Sequence, residues 1–170
     1  MRWAARSSRL LVRYEALSTA APRILEAQPM YIRVTPASDS EKAKALTSLK
    51  ICPVLTNWMM AATWQFAHPF KGGGWHPGGD VEFDDCNSVD TTVTANPSLG
   101  TAASAPLTIG DDCKDSAVVC FNIQPWFKNY LIQRGINYGL VLVTLDNSSI
   151  SIYGNGSGSR GPRIHWADGP

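Results

Sequence analysis

The sequence predicts an all-β fold, a jelly-roll-type β-sandwich of two antiparallel sheets with one short amphipathic helix. Three observations predict it. Short apolar segments with two-residue alternation, the period of a half-buried strand, recur along the chain. Fourteen glycines and eleven prolines in 170 residues punctuate them with turns. A single segment, residues 124–133, carries the period of a helix. A chain of this length buries its own core as one domain, 1–170, with residues 1–8 as an N-terminal arm.

In "SRLLVRYE", Leu10, Val12 and Tyr14 alternate with Leu11, Arg13 and Glu15, the pattern of a strand. "PMYIRV" repeats it, with Met30, Ile32 and Val34 inward. "SDSEKAKALTS" reads as a charged loop, or at most one helical turn. "LKICPVLTNW" is a third strand, and Pro53 argues for an edge or a bulge. "KGGGWHPGGD" reads as loop, and residues 90–112 are rich in Thr, Ser, Ala and Pro, with short β pieces around Val93 and Leu107. "SAVVCFNI" places Val119, Phe121 and Ile123 on one face of a strand.

"QPWFKNYLIQRG" breaks this rhythm. Ile123, Phe127, Tyr130 and Leu131 fall at i, i+4, i+7 and i+8, and Gly135 follows as a stop. The expected helix points Phe127 and Leu131 inward and Lys128 and Gln133 outward. "YGLVLVTL" is apolar on both faces, as a central covered strand is. "SSISIYG" and "PRIHW" supply two last strands, separated by the flexible "GNGSGSRG".

"NWMMAATWQFA" brings Trp58 and Trp64 within six residues, with Met59, Met60, Ala61 and Ala62 between them. It suits neither helix nor strand. Both rings are expected in the core at one end of the sandwich, because aromatics contribute most where they are buried.

The charge balance narrows the partners. Net charge is +1 and charged residues make up 17% of the chain, with no basic stripe, so nucleic acid is not expected. The longest apolar run is far short of a membrane span. The basic N-terminus lacks the apolar stretch of a signal peptide. Cys52, Cys86, Cys113 and Cys120 have no CxxC spacing and no zinc pattern. They read either as small buried thiols or as one or two disulfides of an exported protein. Three pairings are open.

Catalysis is not expected. His68, His76 and His165 have no Ser, Cys or carboxylate in a triad setting. His68 reads as a loop residue and His165 as a strand residue. The carboxylates gather in "GGDVEFDD" and "GDDCKD". Asp80, Asp84 and Asp112, with Glu82, Asp85 and Asp111 nearby, are the candidate ligands for calcium if the two loops meet, since a hard cation takes several carboxylate and carbonyl oxygens. The alternative is a solvated acidic loop pair. Sugar binding needs flat aromatics beside polar groups. Trp75 and His76 in the glycine-rich loop are the first candidates, followed by Tyr153 and Trp166.

Five segments in order, spanning residues 9–166, resemble the DNRLRE domain family of bacterial and archaeal surface proteins. They are "RLLVRYEAL", "NWMMAATW", "GWHPGGD", "VCFNIQPWFKNYLIQRGINYGLVL" and "GPRIHW". The chain departs from the family in lacking an acidic residue between Trp58 and Trp64. It also carries only eight residues before "RLLVRYE", where the family usually has one or two strands. The resemblance implies a jelly-roll module of an extracellular or cell-surface protein, non-catalytic and directed at polysaccharide. A second expectation is a structural subunit of an assembly, a virion decoration or tail protein or an extracellular filament. Such a homo-oligomer would pack on neighbouring subunits through the arm that carries Trp3 and through an open sheet edge.

Overall fold

The computed structural model describes residues 9–14, 17, 30–59, 66–68, 73–74, 82–90, 113, 115–144, 146 and 148–166. The fold is a β-sandwich of two antiparallel sheets with a few short helices. One sheet has four strands in the order β1 (Leu10–Val12), β8 (Leu140–Thr144), β3 (Leu49–Pro53) and β6 (Asn87–Ser88). The other has three, β7 (Val119–Asn122), β2 (Met30–Val34) and β9 (Arg163–Trp166). β4 (Phe66–His68) and β5 (Gly73–Gly74) pair with each other.

The core fills the space between the sheets. Val12, Ile51, Leu140 and Leu142 face Met30, Ile32, Val119 and Phe121 in one buried cluster. The two-sided apolar run of β8 has the expected cause: Leu140 and Leu142 point into this core, while Val141 and Val143 pack on the outer face with Cys52, Val54 and Trp58. β2 is likewise covered on both sides, and its outward Tyr31 packs against Cys113, Val118 and Cys120. Gly139 leads into β8 with φ +82°, where an added Cβ would stand 2.4 Å from the Val12 carbonyl oxygen. Only glycine permits that backbone approach.

Several sequence expectations are corrected. Residues 39–48 are not loop but a ten-residue helix, α1 (Asp39–Ser48). The Ser38 hydroxyl accepts the Glu41 N–H at 3.3 Å, the acidic Asp39 and Glu41 sit in the first turn, and Lys44 pairs with Glu41 at 2.7 Å. Ends and charges therefore hold a helix that has almost no apolar face. β3 is not an edge strand, because β8 flanks it on one side and β6 on the other. Pro53 is its last residue and lies beyond the two pairs made with β6, so no ladder bond needs its missing N–H there.

Gly73 and Gly74 pair with β4, which also contains His68, where loop was expected. Strand pairing uses backbone groups alone, and glycine gives no pattern to read. "SSISIYG" contributes only a bridge between Ile152 and Pro36, flanked by bonds from Tyr153 N to Thr35 O and from Ala37 N to Ser151 O. The ladder stops there because Ser38 opens α1. "GNGSGSRG" is wound into 3-10 turns over Asn155–Arg160.

The helix expected at 124–133 is present as α2, Gln124–Trp126 continuing into Phe127–Ile132. The second part is π-wound, and the Gln133 N–H donates to the Lys128 carbonyl five residues back. Phe127 and Leu131 are buried and Lys128 and Gln133 exposed. Gly135, at φ +65°, ends the helix by donating to the Leu131 carbonyl.

Trp58 is buried, with 8% of its surface exposed, but it lies on the outer face of the four-stranded sheet and not at an end of the sandwich. Its indole N–H donates to the Tyr138 carbonyl at 2.6 Å, and the Arg13 guanidinium stacks 4.9 Å from its ring. Trp64 and Met60 to Ala62 lie outside the described residues, as do the arm 1–8 with Trp3, and Val93 and Leu107.

Candidate functional site

The four cysteines form two disulfides, Cys52–Cys86 and Cys113–Cys120. The first ties residues 82–88 to β3. The same stretch is also sewn to β3 by backbone bonds from Leu55 N to Glu82 O and from Asp84 N to Pro53 O, at 3.0 Å each. It then crosses toward the other sheet. Asn87 Nδ2 donates to the Asn122 carbonyl at 3.1 Å, and Asp90 N donates to the Cys120 carbonyl at 2.8 Å. Residues 82–90 thus bridge the sheets at one edge of the sandwich.

α2 lies opposite this bridge, and a groove of about 220 Å³ opens between them. Ile51, Ile123 and Leu140 form its floor, with Pro125 and Trp126 at the side of α2. Asp84, Asp85, Asn87, Asn129 and Tyr130 supply its polar groups. The pairing of Ile51 with Asn87 explains the mixture, since directly opposed residues share one face of a sheet and here one of them belongs to the core. The volume is at the scale of one sugar ring and below that of a drug-sized pocket.

The Tyr130 hydroxyl donates to the Asp84 carboxylate across the mouth of the groove. Burial pushes the Tyr130 phenol up to about 12, and the carboxylate beside it adds to the rise. On the other side of the bond, the Tyr130 hydroxyl and then the Asp85 N–H hold the Asp84 carboxyl below its ordinary range. Arg134 stacks on the Tyr130 ring at 5.0 Å. The phenol and the carboxylate therefore stabilise one proton arrangement, with the proton on Tyr130 and the charge on Asp84.

Of the sequence candidates, the structure brings Asp84 and its neighbour Asp85 into this groove. Tyr153 is half-buried elsewhere, with Arg160 stacked 5.1 Å from its ring and Arg160 Nη1 donating to its hydroxyl at 3.0 Å. Trp166 is the last residue of β9, opposite Met30, and His165 is opposite Tyr31. Trp75, His76, Asp80, Asp111 and Asp112 lie outside the described residues. Among the described residues no three His, Cys, Asp or Glu side chains stand close enough to hold a metal ion. Asp84 accepts from Tyr130 and from the Asp85 N–H.

Sequence reasoning missed Asn87, Asn129 and Tyr130 as groove residues. Asn129 and Tyr130 were legible only as outer and inner positions of a helix. Nothing local ties them to residues 84–87, some forty positions earlier.

No family model, no curated protein and no solved structure matches the chain. The resemblance to DNRLRE domains rests on the five quoted motifs. Among the described residues no helix is long and apolar enough to cross a membrane.

Proposed function

We propose that the chain is a non-catalytic polysaccharide-binding module of an extracellular or surface protein, with the groove between α2 and residues 84–87 as its site. The observation that carries this reading is the lining itself. An apolar floor suits the C–H face of a pyranose, and carboxylates and carboxamides at the rim suit its hydroxyls. Two disulfides fit an oxidising location, where such bonds persist. The motif resemblance points the same way.

Affinity electrophoresis through gels containing different polysaccharides tests the reading. The chain is expected to be retarded in at least one gel, and Asn129→Ala is expected to run freely there, because Asn129 is an exposed groove residue whose loss leaves the core intact. Free migration of the wild-type chain in every gel, together with a silent glycan array, would sink the proposal. Retardation that Asn129→Ala leaves unchanged would move the site away from the groove.

A further inference from the structure

We propose that the groove takes an amino sugar, a glycan unit whose ammonium group sits against Asp84 and Asp85. This rests on the polysaccharide reading above and names the ligand class of the same site. The argument is an inventory of donors and acceptors. The Tyr130 hydroxyl already donates to Asp84, and Asn87 Nδ2 donates to the Asn122 carbonyl. The Tyr130 hydroxyl hydrogen and one of the two Asn87 Nδ2 hydrogens are thus spent on the protein. Asp84 and Asp85 offer acceptors only, and Asn129 offers one of each kind. A ligand must therefore bring donors.

Charge sharpens the choice. Among the described residues, two carboxylates line the groove and no Lys or Arg does. Among the cations of the neighbouring elements, Arg134 is stacked on the Tyr130 ring and Lys50 donates to the Ser88 hydroxyl. An ammonium placed beside Asp85 gains attraction there, whereas a uronic acid would meet two like charges over the same apolar floor. The hydrogen bond from Tyr130 favours the ionised form of Asp84.

Isothermal titration of the full chain with matched-length oligomers of glucosamine, N-acetylglucosamine, glucose and galacturonic acid tests the proposal. The glucosamine oligomer is expected to bind about fivefold more tightly than its acetylated counterpart, the factor that one well-placed exposed ion pair supplies. The margin should shrink as salt is raised. Asp85→Asn, at an exposed position, should erase the margin while leaving the melting temperature unchanged.

Equal binding of the free and acetylated amines, with Asn129→Ala abolishing both, overturns the amino-sugar proposal and leaves the polysaccharide reading standing. A preference for galacturonic acid does the same. Binding of a short lysine peptide as tight as that of glucosamine overturns it as well, since charge alone would then suffice. Failure of all four oligomers and of every polysaccharide gel overturns both.

Discussion

Helix α1 buries one residue, Ala45, and has a capped start. Helix α2 buries Trp126, Phe127, Tyr130 and Leu131; its N-cap residue Ile123 has no capping side chain, and the Asn122 side-chain oxygen accepts the Gln124 N–H at 3.0 Å. The first is specified locally, by the Ser38 cap just before its ten residues and the Glu41–Lys44 pair along its side. The second is specified by what it lies against, the inner faces of both sheets. A helix held by its ends adds little to the rest of the molecule. A helix held by its face is part of the core, and α2 carries one wall of the groove on the strength of that packing. Its π-wound turn fits this division, because tertiary contacts can impose a winding that local bonding disfavours.

Three substitutions or titrations break or sharpen the contrast. Phe127→Ala removes a ring that is 1% exposed at the centre of the α2 contact. It is expected to cost ~3–5 kcal/mol in chemical denaturation, as large core deletions do, and to lower ligand retention with it. A loss under about 1 kcal/mol would mean that α2 is not held by its face.

Ser38→Ala should cost about 1 kcal/mol, the usual worth of an N-cap, and should leave retention unchanged because no residue of α1 lines the groove. An unaltered denaturation midpoint would show that α1 is held by something other than its cap.

The smallest effect appears only in alkali. The Tyr130 phenol titrates at about 12 in the folded chain against 10 as its ordinary value. A raised pKa contributes stability that is complete below pH 10 and is lost as pH climbs through about 12. Spectrophotometric titration should therefore show Tyr130 ionising late, and Tyr130→Phe should remove one late-ionising phenol from that step. Tyr14, half-buried and also pushed up to about 12, remains as the internal control. If Tyr130→Phe leaves the late signal unchanged, the Tyr130 phenol is not held buried beside Asp84 in solution.

The same contrast explains what the sequence allowed to be read. β8 was legible as an unbroken apolar run, β2 because apolar residues alternate in it, and α2 through the helical spacing of Phe127, Tyr130 and Leu131. α1 was not, since its only buried residue is an alanine and a period cannot be read from one position. Its signal was the Ser38-x-x-Glu41 spacing at its start, which resembles a capping box. β6 had no signal at all, because Asn87 and Ser88 are exposed polar residues that pair with β3 beside a disulfide. The groove depends on that unreadable strand. Of its polar groups only Asp84 and Asp85 were named beforehand as site residues, and for a different chemistry.

The Cys52–Cys86 bond gives the chain a covalent shape of its own. Residues 52–86 close a ring, and the remaining residues are two tails leaving it at adjacent points. Ile51 and Pro53 flank one end of the bond and Asp85 and Asn87 flank the other, so the floor and the rim of the groove meet at the knot of that ring. One cut of the backbone inside the ring opens it without dividing the molecule. The two pieces stay joined at the knot, and the groove residues on either side of it remain one covalent unit for as long as the bond is oxidised.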